Sequence, residues 1–311
     1  MKHLPLKLTL FVVLLFSAVI ATCLLWTPVK VRYYTAKLES DDPKIRISAI
    51  SDLLKIGNKG NKALQEIFDC DKKEIEFVAR YWKNVNSPLE DEERETEFNV
   101  WFRQDADKSE PYDAYIHRGQ VPSDFSPLHL SIIKDYQEAA SLFILNDADI
   151  ECDGEGEFKP LQLAAMYGDV RIAALLIRNG ADLFGQGAIC MNSIGEQGMF
   201  PLQLAVKYNR TEMVKLLINE MEKSDFYPTD YNWTGTTPFH LAAANDNLEI
   251  MKVLLDSESD NINLFNSPYN GDVKTPLDCA KSEEIRSLLR AHGGKTGKEI
   301  REQENKETRE E

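Results

Sequence analysis

The chain has 311 residues, 43% hydrophobic and 28% charged, enough to bury a core in about two domains. Its formal net charge of −15 argues against a nucleic-acid-binding surface, because phosphates repel an acidic face. The five cysteines, Cys23, Cys70, Cys152, Cys190 and Cys279, are scattered with no Cys-x-x-Cys pair, so neither a disulfide framework nor a zinc site organises the molecule. The first feature in chain order is Leu8–Trp26, LTLFVVLLFSAVIATCLLW, 19 residues without a charge. At about 1.5 Å rise per residue, that length crosses a bilayer as one helix, with Trp26 at the interface. A cleaved signal peptide with Val19-Ile20-Ala21 as its site is one alternative, and a lipoprotein site around Ile20–Cys23 is another. The apolar run continues past both, which favours an uncleaved anchor. Lys2 and Lys7 face Lys30, Arg32 and Lys37 across the run, so charge hardly orients it. The short basic N-tail favours an extracytoplasmic soluble part; the unpaired cysteines favour the reducing, cytoplasmic side.

Asp42-Pro43 then opens a helix, Asp42 as cap and Pro43 at its first position, that runs through Leu53 and Leu54 to Ile56-Gly57. A second short helix follows at Ala63, Leu64, Ile67 and Phe68. The pattern D-P-x-I-R-x-x-A, later L-L-x-I-G, resembles one HEAT repeat. One such unit cannot bury its apolar faces alone. Phe77, Val78, Tyr81 and Trp82 are therefore expected to cover it. Asn84–Pro122 carries the acidic run Glu90–Glu93 and the apolar residues Phe98, Val100, Trp101 and Phe102, which fits an acidic linker that docks as a cap.

From Ser126 onward one unit repeats. Its clearest copy is Phe158–Asp182, where Pro160 opens a helix with an alanine-rich apolar side, Gly168-Asp169 breaks it, and Ile172, Leu175, Leu176 and Ile177 recur at helical spacing to Gly180. The other copies begin at Ser126-Pro127-Leu128-His129-Leu130, Phe200-Pro201-Leu202-Gln203-Leu204-Ala205, Thr237-Pro238-Phe239-His240-Leu241-Ala242 and Thr275-Pro276-Leu277-Asp278-Cys279-Ala280. Their prolines lie 33, 41, 37 and 38 residues apart. The unit resembles the ankyrin repeat, with a period of about 33 and a T-P-L-H-x-A core, over residues 123–294. The fold class that follows is all-α: an ankyrin-type helical solenoid with short hairpin loops, preceded by a HEAT-like helical hairpin and one transmembrane helix. The expected organisation is an anchor (1–32), a HEAT-like segment (33–83), an acidic linker or cap (84–122), the repeats (123–294) and a charged tail (295–311), disordered or a frayed helix. The long interval around Phe184–Gln197 reads as a loop finger outside the repeat core.

In ankyrin-like repeats the fourth letter of T-P-L-H bridges backbone groups of adjacent turns. The resemblance therefore implies a structural role for His129 and His240, with Gln162 and Gln203 equivalent to them. Cys279 stands for a leucine of the pattern and is expected to pack as a small hydrophobe. Asp149–Gly154 has the opening of a calcium loop, but Pro160 at its twelfth position cannot ligate, so it reads as an acidic hairpin tip. Gly293-Gly294-Lys295-Thr296 lacks the first glycine and the strand of a phosphate loop and reads as a helix stop. No nucleophile elbow or dinucleotide fingerprint is present, and neither cofactor nor metal is expected. The resemblance implies a non-enzymatic module binding a protein partner, without nucleic acid or small-molecule substrate, held to a membrane by residues 8–26. An enzyme or accessory with its chemistry in Asn84–Pro122, or a structural spacer, are the alternatives. The outward slots of the pattern hold Phe158 and Met199 before the T-P pair, Met166, Tyr167 and Tyr208 after the L-A-A stretch, and Trp233 at a nearby tip. They form the expected partner-binding stripe on the concave face.

Overall fold

The computed structural model describes residues 26–87, 126–152, 158–185, 199–223, 236–257, 262–266 and 274–310. Helix is the regular structure among them. Residues 8–25 of the apolar run, most of the acidic linker, nearly all of the 184–197 finger and Trp233 lie outside them. No helix among the described residues is long and apolar enough to cross a membrane. The chain divides into two compact units, residues 1–85 with 145–148, and residues 86–144 with 149–311.

The first unit contains a helix over 26–37 (α1) and then α2 (Pro43–Ile56), α3 (Asn58–Phe68) and α4 (Lys72–Tyr81). Asp42 caps α2 as the sequence predicts, its carboxylate accepting from the Lys44 N–H at 2.9 Å. Gly57, at φ 75°, ends α2, and α3 begins at the next residue. The second glycine of the hairpin, Gly60, sits where a Cβ would lie 1.8 Å from the Leu53 carbonyl oxygen, so only glycine lets α3 approach α2 this closely. Asp71 caps α4 through the Glu74 N–H at 2.7 Å. Ala49, Ile50, Leu53, Leu64, Ile75 and Val78 are fully buried, with Phe77, Tyr81 and Trp82 closing over them. The cover that a lone helical hairpin requires is thus supplied by α4.

The second unit holds five helix pairs: α5 (Pro127–Ile133) with α6 (Gln137–Leu145), α7 (Pro160–Tyr167) with α8 (Val170–Arg178), α9 (Pro201–Lys207) with α10 (Thr211–Glu222), α11 (Pro238–Asn245) with α12 (Leu248–Ser257), and α13 (Pro276–Cys279) with α14 (Glu283–Ala291). All five first helices start with the predicted proline, whose missing N–H would be unpaired at that position anyway. They pack on one another in chain order, as do α8, α10, α12 and α14. Ala164, Ala165, Ala205, Ala242 and Ala243 are completely buried between neighbours, where their small size permits close stacking. Gly168 leaves α7 in the left-handed region at φ 81°, and Asp169 caps α8 through the Ile172 N–H at 3.0 Å. The Cys279 side chain is half-buried, not fully packed as expected, because α13 is one turn long and cannot carry it into the core.

Of the two states expected for the tail, disorder or a solvated helix, the helix is the one found. A final helix, α15 (Gly297–Glu310), follows the Gly293-Gly294 stop. Its start is fixed by a reciprocal cap: Thr296 N–H donates to the Glu299 carboxylate at 2.7 Å, and the Thr296 hydroxyl accepts from the Glu299 N–H at 3.2 Å. Arg290 reaches the same carboxylate at 2.7 Å. Its guanidinium first, and then the Thr296 donors, hold the Glu299 carboxyl down to about 2. A charged sequence without an apolar face is helical here because its first turn is tied to α14.

Candidate protein-binding face

Every seam between repeats is crossed by the side chain at the third helical position of the first helix. In α5, His129 Nδ1 accepts from the Ser126 N–H at 3.1 Å, and Nε2 meets the Phe158 carbonyl, one repeat on, at 3.1 Å. In α7, Gln162 Oε1 accepts from the Lys159 N–H at 2.8 Å, and Nε2 donates to the Met199 carbonyl at 2.7 Å. Gln203 in α9 does the same between the Phe200 N–H (3.0 Å) and the Thr236 carbonyl (2.7 Å). His240 in α11 spans the Thr237 N–H (3.2 Å) and the Lys274 carbonyl (3.0 Å). A backbone N–H can only donate, so Nδ1 of each histidine is the acceptor and Nε2 carries the proton. Neutral histidine and glutamine are interchangeable because each offers an acceptor and a donor at similar reach.

Burial is the main cause that lowers both histidines, His129 and His240 alike, to about 4. They are therefore neutral at physiological pH and committed to the ladder, as the resemblance implies. The last rung inverts. Asp278 is acceptor-only, and its Oδ2 accepts from the Thr275 N–H at 3.0 Å and from the Gly297 N–H at the start of α15 at 2.8 Å. The partner across this seam is the N–H at a helix N-terminus, while the Lys295 carbonyl accepts from the Thr275 hydroxyl at 2.8 Å.

Two further contacts join successive repeats and were not legible in the motif. Arg210 Nε donates to the Met166 carbonyl at 2.8 Å. Asn245 Nδ2 donates to the Val206 and Lys207 carbonyls at 3.1 and 2.8 Å. Both occupy the end of a first helix or the turn after it, and each donates to carbonyls at the end of the preceding repeat's first helix.

This ladder decides where the expected stripe residues go. The carbonyls of Phe158 and Met199 are the acceptors of the His129 and Gln162 rungs, so both residues are drawn into the seam. Phe158 is 8% exposed and Met199 3%, and neither faces outward. Met166 is fully buried, because it lies on the core side of α7. These three are corrected from surface anchors to packing residues. Tyr167, the last residue of α7, and Tyr208, which follows α9, are half-buried. They occupy the same slot of successive stacked repeats, and the Lys207 ammonium lies 5.7 Å from the Tyr208 ring. Lys134 and Asn245 hold that slot in the first and fourth copies, also half-buried. Trp233 lies outside the described residues.

Other chemistry-bearing groups are spent on structure. The Cys152 thiol donates to the Asp149 carbonyl at 2.9 Å. A groove of about 660 Å³ at the last repeat is lined in part by Glu283, Arg286, Arg290 and Thr296. Its arginines are engaged, Arg286 with Glu283 and the Ala280 carbonyl, Arg290 with Glu299 and the Gly294 carbonyl. No cluster of three or more histidine, cysteine or acidic side chains fit for a metal occurs among the described residues.

Sequence comparison agrees with this geometry. Residues 161–266 match the family model described as ankyrin repeats in 3 copies. The chain is 31% identical over 137 residues to the putative ankyrin repeat protein FPV031 of fowlpox virus, covering 43% of this chain and 37% of that protein. It is 26% identical over 139 residues to the ankyrin repeat protein nuc-2 of Neurospora crassa, 44% of this chain and 12% of the relative. A 63-residue stretch, 20% of this chain, is 38% identical to 26% of the probable 26S proteasome regulatory subunit p28 of Saccharomyces cerevisiae. The chain thus spans well under two thirds of the length of each of these relatives. Five proline-started helix pairs, a side-chain rung across each seam and these matches identify the repeating unit of the second compact unit as the ankyrin repeat.

Proposed function

We propose that the repeats bind a protein partner without catalysis, through the surface where the first helices end, with Tyr167 and Tyr208 as anchors. The observation that carries this reading is the recurrence of a half-buried tyrosine at one slot of two successive stacked repeats. Structural demands do not select tyrosine at that slot, since the first and fourth copies fill it with Lys134 and Asn245. Aromatic rings with one accessible side are the groups that interfaces use as anchors. The ankyrin repeat is a protein-interaction module, and the relative p28 is by its name a subunit of a larger assembly, which supports the same reading.

The module is tethered, in this reading, by the apolar residues 8–26, with the repeats on the extracytoplasmic side. The uncharged length and the short basic N-tail support it. Capture of a partner by the full chain tests the binding face. Changing Tyr167 and Tyr208 together to serine abolishes capture while the circular dichroism melt stays close to that of the parent chain. Retained capture, or a collapsed melt, removes these residues as anchors. Retention of the chain in membranes after carbonate extraction tests the tether separately.

A further inference from the structure

The helix over 26–37 stands apart from the rest of this acidic protein. All 51 aspartates and glutamates of the chain lie after Leu38. Within 26–37 the charged residues are Lys30, Arg32 and Lys37, all basic. At about 100° per residue, Trp26, Val29, Arg32, Tyr33 and Ala36 fall on one side of α1, while Thr27, Val31, Tyr34 and Thr35 fall on the other. The first set is exposed and the second half-buried. Three large apolar or aromatic residues of the outer face are more than half exposed: Trp26 at 60%, Val29 at 57% and Tyr33 at 57%. Lys30 and Lys37 flank this face, with their ammonium groups 5.6 Å from the Trp26 ring and 4.5 Å from the Tyr33 ring.

An exposed aromatic and aliphatic stripe on a helix whose own charges are all basic is complementary to an anionic lipid bilayer. Tryptophan and tyrosine favour the headgroup region, where the ring body is covered and the polar edge stays wet. Lysine stems cover apolar surface while their ammonium groups reach phosphate oxygens. The residues after Leu38 are net acidic, a charge that such a surface repels, which favours approach through α1. The apolar run of residues 8–26 ends where the stripe begins, and Ala36 is about 15 Å along the helix from Trp26.

We infer that α1 lies along the membrane surface, its Trp26–Val29–Tyr33 stripe in the headgroup layer of anionic lipid and Lys30, Arg32 and Lys37 on the phosphates. This rests on the reading of residues 8–26 as a tether and goes beyond it, because a tether alone leaves α1 free to project away from the bilayer.

The full chain, reconstituted into vesicles of phosphatidylcholine with or without phosphatidylglycerol, provides the test. Single substitutions Val29→Cys and Ala36→Cys place a thiol on the stripe side, and Lys59→Cys places one on an exposed position of α3. The rate of reaction with a charged, membrane-impermeant maleimide is read at each introduced residue by peptide mass spectrometry, so native cysteines do not interfere. The thiols at 29 and 36 react about tenfold more slowly in phosphatidylglycerol-containing vesicles than in phosphatidylcholine alone, and Lys30→Glu with Lys37→Glu removes that difference. The thiol at 59 reacts equally in both. Equal rates at 29 and 36 in the two lipids overturn the inference. Equal protection in lipid and in detergent micelles also overturns it, because a protein then covers the stripe. Carbonate extraction separates the two readings: a retained chain with an unprotected stripe keeps the tether and loses this inference. An extractable chain protected only by anionic lipid does the reverse.

Discussion

The two units solve the same problem, burying short helices, by different means. In the first, α2, α3 and α4 are joined by apolar burial and by one close backbone approach at Gly60. In the second, apolar stacking is supplemented at every seam by a polar side chain that satisfies one backbone group of its own repeat and one of the next. Apolar contact is non-directional, so it tolerates sliding; a two-ended hydrogen bond fixes register. A stack of near-identical repeats has many registers of similar burial, which is where directional bonds matter most. The α2–α4 packing has one close fit and does not need them.

The largest expected effect separates the units by pH. Neither histidine of the ladder takes up a proton in the native state until about 4, whereas the unfolded chain does so near 6.5. Between those values the unfolded state binds more protons, so the contribution of each neutral histidine is complete above about pH 6.5 and is lost as pH falls toward 4. At pH 5 the loss is roughly 2 kcal/mol per histidine. Residues 26–85 contain no histidine. Hydrogen exchange corrected for intrinsic rate is expected to show weakened protection around Leu128 and Phe239 at pH 5, with Ile50 and Leu53 unchanged. Replacing His129 and His240 by the glutamine that α7 and α9 already use flattens the response.

The converse experiment acts on the first unit alone. A methyl group at Gly60 meets the Leu53 backbone, which cannot rotate away, so Gly60→Ala forces α2 and α3 apart at a cost of about 3 kcal/mol. Protection at Ile50, Leu53 and Leu64 falls, and the repeat units keep theirs. A variant as stable as the parent would show that the hairpin has slack, and the contrast between close fit and ladder would weaken.

The smallest effect sharpens the comparison at the end of the ladder. Asp278→Ala removes the acceptor for the Thr275 and Gly297 N–H groups and costs about 1–2 kcal/mol locally. Exchange at Gly297–Arg301 accelerates while Leu202 and Leu204, two repeats away, remain protected. Asp278→Asn keeps an acceptor oxygen and is expected to hold α15 in place.

The sequence by itself determined the repeat, its count, the proline starts and the equivalence of histidine with glutamine at the rung. These follow from local chemistry: a proline fits the first helical position, a glycine ends a helix, and a bidentate neutral side chain recurs at a fixed letter. The Asp42 cap and the cover from Phe77, Val78, Tyr81 and Trp82 were legible for the same reason. Only the tertiary structure decided which template slots face solvent. Phe158 and Met199 read as outward residues in the motif, but their carbonyls receive rungs from the preceding repeat, and that bond turns the segment into the seam. What ties the start of the 297–310 helix to the repeats was likewise hidden, because Arg290 and Asp278 belong to other elements. Periodicity reports what a segment does along its own axis; burial depends on what the neighbouring repeat brings to it.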